Sequence, residues 1–426
     1  MPLPCGAGEV APTTGNIEST RHTGLGRAYD TPIAEAAHPE EAGRISKTIG
    51  YFGAFVALGM AVAALGPTLP GLAEQTRTQL SAVSTLFTAR SLGYLLGALL
   101  GGRLYDRLRG HLVIGAALAL MVVALVSVPF LSALWLLVLA LLVLGLAEGT
   151  VEVGSNTLLL WVHRDNAGPF VNGLHFFFGV GAFLAPVLVA LAVVLTGSSL
   201  WAYWFLAVLI VPVSLWVLRQ PSPARQIPAQ DGSGRQVNGR LVALVAAFFL
   251  LYVGVEGSFG GWIPTYAQVQ DLANAATAAY LASAFWGSIT VGRLLATVIA
   301  ARVRPSRLVT AGFVGGLSSL GLLLAWPRSM GVLWVATLGL GLSLAPMVPS
   351  TLALIERRMA ITGRATGWFF VGLGLGGMTV PWLIGQLFER IGPPVMVWTI
   401  TADLILALCL FALVLAYSSR LVPSKG

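Results

Sequence analysis

Twelve apolar stretches, each long enough to cross a lipid bilayer, recur from about Lys47 to Ser418, and no other feature restricts the fold so strongly. About 20 apolar residues suffice for one helical crossing. A chain in lipid has to satisfy every backbone N–H and C=O internally, so apolar stretches of this length are helices. They read as spans 47–73, 79–101, 111–131, 134–161, 167–196, 199–218, 240–268, 275–300, 307–326, 331–354, 365–388 and 393–418. Composition agrees: 56% of the residues are hydrophobic and 10% are charged, against about 25% charged in soluble domains. The expected fold is an all-α membrane protein with twelve transmembrane helices.

Orientation follows from the 25 Lys and Arg residues. Twenty fall in the two tails and in the loops on the same side, only Arg77, Arg328 and Arg390 fall opposite, and Arg90 and Arg293 lie inside spans. This positive-inside bias places both termini in the cytoplasm. The net charge of +8 is therefore topological. Because the basic residues are spread over many loops, nucleic acid is not an expected partner. Residues 1–45 lack helical periodicity and read as a disordered cytoplasmic tail. No apolar segment precedes Lys47, so the first span, rather than a cleaved signal peptide, is expected to direct the chain to the membrane. Cys5 and Cys409 do not form a disulfide framework. Two Lys against 23 Arg favour a GC-rich coding sequence and a bacterial inner (plasma) membrane.

A shift of 195 residues superimposes Gly66 on Gly261, Gly97 on Gly292, Arg107 on Arg302, Gly179 on Gly374, Gly181 on Gly376 and Pro186 on Pro381. Six matches at one offset argue for a duplicated unit. The chain then divides into two pseudo-symmetric six-helix bundles, 46–218 and 240–418, joined by a polar cytoplasmic linker, 219–239, and followed by a short tail, 419–426. Two such halves around a midplane cavity suit alternating access.

The segment Gly101–His111 (GGRLYDRLRGH) resembles the loop between helices 2 and 3 of the major facilitator superfamily. Gly102, Asp106 and Arg107 match in place, whereas Arg109 and Gly110 are transposed. The resemblance implies a gating role for Gly102, Asp106 and Arg107. Gly102 would let helices approach closely, and Asp106 would accept hydrogen bonds from a neighbouring helix N-terminus. Ala89–Gly102, Val151–Trp161, Gly168–Pro186 and Gly254–Gln268 resemble the branch that contains fucose permeases and sodium-dependent glucose transporters. That resemblance implies a sugar as the small-molecule substrate. Unlike proton-coupled fucose permeases, the chain has no acidic residue between Lys47 and Gly71, and it lacks the glutamine-rich helix 7 of other sugar porters.

Ionisable residues within a bilayer cost roughly 2.5–3.5 kcal/mol each on insertion scales and mark ion or substrate routes. Glu148, Glu152 and Asn156 lie four apart on one face of helix 4. Counted from Arg164 in the short loop 4–5, Glu152 and His175 both sit roughly 17–18 Å deep, and Asn156 and Asn172 form a second matched layer. Glu148, Glu152, Asn156, His175 and Arg90 are thus candidates for a coupling-ion site, with Na⁺ at Glu152 and Asn156 or H⁺ as the ion. Arg90 neutralising Glu148 in a purely structural pair is the competing reading for those two residues. In the second half Tyr252, Glu256, Trp262, Tyr266 and Trp286, with Asn172 and His175, are candidates for the substrate. An aromatic platform beside a hydrogen-bonding acid suits a sugar, although Trp262 and Tyr266 also fit an interfacial belt. Arg293 reads as a gate residue or as a snorkelling cation. Trp368 is a further aromatic candidate, and Asp403 on helix 12 reads as a pairing or lateral-surface residue.

These features converge on a secondary transporter for a hexose or related sugar, driven by Na⁺ or H⁺, acting as a monomer in the lipid bilayer. Efflux of a cationic or amphipathic compound is the alternative. No nucleophile, phosphate-cradling or paired metal-ligand motif supports an enzyme or a cofactor.

Overall fold

The computed structural model describes residues 39–225, 237–359 and 363–420, and among them every regular element is a helix. Twelve are long and apolar enough to span a membrane. They are α1 (Gly43–Thr76), α2 (Leu80–Arg107), α3 (Gly110–Phe130), α4 (Leu134–His163), α5 (Gly168–Thr196), α6 (Ser199–Leu218), α7 (Gly239–Val269), α8 (Ala275–Ala300), α9 (Pro305–Ala325), α10 (Met330–Glu356), α11 (Ala365–Ile391) and α12 (Pro394–Arg420). The first helix starts at Pro39, so residues 39–45 are helical where an unstructured tail was expected. The remainder of that tail, the linker residues 226–236 and the last six residues lie outside the described residues. Two spans are interrupted. α2 breaks at Ser84, and α10 breaks around Ala345 and Pro346, where a proline cannot donate to the preceding turn.

Close backbone approach organises the two six-helix halves. In lipid no hydrophobic force draws helices together, so small residues and van der Waals packing have to do so. Gly181 on α5 seats against the Val56 carbonyl of α1, and its repeat mate Gly376 on α11 seats against the Leu250 carbonyl of α7. A Cβ at either position would collide with backbone. The 195-residue repeat is therefore a repeat of helix contacts. Large apolar residues such as Val123, Val208 and Val298 remain exposed, as expected for surfaces solvated by lipid.

The halves meet along seams at the end opposite the start of α1 and the end of α12. On α5 and α8, Ser283 Oγ donates to the Phe183 carbonyl at 2.9 Å. On α2 and α11, Thr88 Oγ1 donates to the Met378 carbonyl at 3.1 Å, and the Gln386 amide donates to the Ser81 carbonyl at 2.8 Å. Glu389 accepts from the Leu80 N–H at 2.7 Å and from Ser81 Oγ at 3.0 Å. Between α1 and α7, a Cβ on Gly66 would stand 2.7 Å from the Gly260 carbonyl, so only glycine permits that crossing.

Candidate functional site

The site is built on the pairing of α2 with α4. A Cβ on Gly93 or Gly97 of α2 would strike the Leu142 or Leu146 carbonyl, and one on Gly145 or Gly149 of α4 would strike the Arg90 or Tyr94 carbonyl. Four glycines in register thus press the two backbones together, which brings the flanking side chains into hydrogen-bonding range. Arg90 and Tyr94 lie one helical turn apart, as do Glu148 and Glu152, and they form two rungs.

In the first rung Arg90 Nε donates to Glu148 Oε1 at 3.0 Å and Oε2 at 2.9 Å, and Nη1 reaches the Val62 carbonyl at 3.4 Å. Glu148 is fully buried. Both of its oxygens are engaged by one guanidinium, so the expected structural pair is realised. The second rung is a short hydrogen bond from Tyr94 Oη to Glu152 Oε2. Tyr94 escaped notice in the sequence, although its spacing from Arg90 repeats that of the two glutamates and would have identified it.

A cavity of about 280 Å³ lies between the halves, near the lower end of the roughly 300–1,000 Å³ typical of small-molecule pockets. Arg90, Tyr94, Glu152, His175, Phe55 and Phe178 line one wall. Glu152 and His175, expected at one depth, both line this wall of the cavity, and Phe55 meets the His175 ring edge-on at 5.9 Å. The second expected layer does not form there. Asn156 turns its amide back to the Glu152 carbonyl at 3.0 Å, and neither Asn156 nor Asn172 lines the cavity. Short polar side chains in helices readily bond the preceding turn in this way.

Tyr252, Glu256, Trp286 and Arg293 line the opposite wall. Arg293 Nη2 stands 3.5 Å from Glu256 Oε1, and Tyr252 Oη donates to the Leu344 carbonyl at 3.3 Å. The Trp286 ring meets Phe178 of the other half at 6.4 Å and 79°, joining the two walls. Arg293 is therefore a cavity residue, and the expected snorkelling position is corrected: its long stem carries the charge inward to an acid.

Trp262 and Tyr266 do not line the cavity. Trp262 donates through Nε1 to the Pro381 carbonyl at 3.0 Å and stacks on Phe388 at 5.1 Å. Tyr266 donates to the Pro327 carbonyl at 3.2 Å. Six residues at 3.6 per turn rotate Trp262 well away from the face that carries Glu256, which is why the proposed platform fails there. Gly257, Gly260 and Gly261 border the cavity on that helix instead. Trp368 and Asp403 also lie off the cavity. Asp403 is buried, as a pairing role would require, but its Oδ2 has no hydrogen-bond partner.

At the end where α2 closes and α3 begins, Asp106 accepts from Arg225 of the linker at 2.9 Å, and both side chains are more than half exposed. Its partner is a linker arginine rather than a helix N-terminus. Gly102 has nothing within 4 Å of a hypothetical Cβ, so the close approach expected there occurs at Gly97, earlier on the same helix. Arg107 closes α2 at the exposed surface. Among the described residues no group of three or more His, Cys, Asp and Glu side chains could hold a metal ion. A cation at Glu152 would thus need hydroxyl or carbonyl oxygens as further ligands.

Twelve spans in two repeat-related halves around a largely apolar cavity that carries a few ionisable side chains define a membrane transporter rather than an enzyme. The chain belongs to the Major Facilitator Superfamily, whose model matches residues 51–381. It is 31% identical over 415 residues to sodium-dependent glucose transporter 1A of Mus musculus, covering 88% of this chain and 97% of that protein. Identity to sodium-dependent glucose transporter 1 of Homo sapiens is 30%, covering 78% and 72% of the two chains. Among solved structures, the nucleoside transporter NupG superimposes with a TM-score of 0.67 at 16% identity, over 87% of this chain and 98% of that one. The last likeness concerns the fold alone.

Proposed function

We propose that this protein is a secondary active transporter that moves a hexose or related sugar by alternating access, coupled to Na⁺. The observation that carries this reading is a pair of carboxylates, Glu152 and Glu256, on opposite walls of one cavity between the halves. Glu152 offers the coupling ion a carboxylate that no arginine saturates. His175, Tyr252, Glu256 and Trp286 offer a sugar hydrogen-bonding groups and one aromatic face. The sodium and glucose in the names of the relatives support both choices.

In this reading the halves 46–218 and 240–418 rock about the cavity while 219–239 tethers them in the cytoplasm with both termini. Asp106, Arg107 and the linker belong to the cytoplasmic gate, and the α2–α11 seam to the opposite one. A single copy in a bacterial inner membrane suffices, because both walls come from one chain.

A thermal-shift experiment with D-glucose, Na⁺, K⁺ and pH varied independently tests the reading, since a ligand bound to the native state raises its melting temperature by mass action. Na⁺ and D-glucose are each expected to raise it, and more together than apart. Stabilisation by a hydrophobic cation, with no response to hexoses or Na⁺, would establish efflux instead.

A further inference from the structure

We infer that the Tyr94 hydroxyl is an internal stand-in for the coupling cation, satisfying Glu152 whenever that ion is absent. The inference rests on the reading of Glu152 as the coupling carboxylate.

A symporter has to return empty through an occluded state. A carboxylate that has just released its cation then faces a dry environment, where an unpartnered charge is costly. Glu152 therefore needs a partner that appears when the ion leaves and withdraws when it arrives. The hydrogen bonds of neighbouring donors point elsewhere: Arg90 to Glu148 and the Val62 carbonyl, Arg293 to Glu256 at 3.5 Å, and the Asn156 amide to a backbone carbonyl, while His175 lines the same wall and packs against Phe55. Among the described residues the hydrogen bond that reaches the Glu152 carboxylate comes from Tyr94.

Tyr94 suits the task for two reasons. Its hydroxyl is a donor on a rotatable bond, so it can be withdrawn without moving the ring. Its backbone is fixed because Gly149 seats against the Tyr94 carbonyl, which sets the reach of the phenol. Arg90, one turn away, cannot perform this exchange, since a permanent charge bound to both oxygens of Glu148 has no neutral state to retreat to. The two rungs thus divide the work, one permanent and one exchangeable.

The test uses Tyr94→Phe in the full-length protein reconstituted into liposomes, with D-glucose and Na⁺ as probes. Without the hydroxyl, the empty carrier holds an unsatisfied carboxylate. Net Na⁺-driven uptake is expected to fall about tenfold or more, the cost of one charge-assisted hydrogen bond. Counterflow exchange with Na⁺ on both sides should persist, and the half-saturating Na⁺ concentration should fall because its competitor is gone. Unchanged net uptake, equal loss of uptake and counterflow, or a higher half-saturating Na⁺ concentration would each overturn the inference. Tyr94→Phe in a Glu152→Gln background should add nothing, because no carboxylate remains to satisfy. A variant that fails to fold in both backgrounds assigns the hydroxyl a structural role and equally overturns it. Glu152→Gln alone separates the two levels: if Na⁺ dependence survives it, the coupling role of Glu152 is wrong, whatever Tyr94 does.

Discussion

The two walls of the cavity stand on the same scaffold and hold their charges in opposite ways. On the α2–α4 wall Glu148 is fully buried and bonded through both oxygens at 2.9 and 3.0 Å. On the α7–α8 wall Glu256 meets Arg293 at 3.5 Å, and the Arg293 side chain is 25% exposed. The repeat duplicates the helices without the charges, since at the 195-residue offset Glu148 corresponds to Ser343, Glu152 to Met347 and Glu256 to Ala61. The difference is between a carboxylate saturated by one guanidinium within a half and a carboxylate held at longer range on the cavity wall. Removing one partner of a buried ion pair leaves an uncompensated charge and is strongly destabilising; Glu256 is also buried, but its partner Arg293 stands farther off, at 3.5 Å, and is the more exposed of the two, so the penalty there is smaller.

The largest effect is expected from Arg90→Ala, which strands Glu148 in the interior. Loss of about 3–5 kcal/mol should appear as a sharp fall in folded yield and melting temperature; a protein of normal stability would dissolve the contrast between the walls. Arg293→Ala, which leaves the buried Glu256 carboxylate facing the cavity, should cost about 1–3 kcal/mol and leave the protein folded, while hexose affinity or Na⁺ dependence changes in binding assays. If it instead unfolds the protein as Arg90→Ala does, the two walls are equivalent. The smallest change belongs to Arg225→Ala, which breaks an exposed pair worth about 0.2–1 kcal/mol. Its melting temperature should hardly move, and a measurable effect is expected only in the rate of opening at the end where Asp106 lies.

The twelve spans were legible because crossing a bilayer demands long apolar helices, and observed boundaries such as Gly239–Val269 lie within a residue of the expected 240–268. Intramembrane charge singled out Glu148, Glu152, Arg90, Glu256 and Arg293, and residue counting placed Glu152 level with His175. Aromatic residues were less legible. Trp262 lies six positions from Glu256, and only the rotation of α7 decides that it packs on Phe388 rather than on the cavity. Asn156 and Asn172 were counted to one depth, yet neither lines the cavity: Asn156 shares the face of Glu152 but lies one turn nearer the loop and donates through its amide to the Glu152 carbonyl. Gly102 matched a family motif, yet where α2 packs on α4 the glycines whose Cβ would collide with backbone are Gly93, Gly97, Gly145 and Gly149.

What the sequence by itself determined is the solvent, the number of crossings, the duplication and the short set of ionisable residues within the membrane, because each follows from local composition or spacing along one chain. Only the tertiary structure decided which glutamate is saturated. Glu148 and Glu152 are chemically identical and one turn apart on the same helix, and they differ because glycine packing of α2 on α4 sets an arginine opposite one and a tyrosine opposite the other.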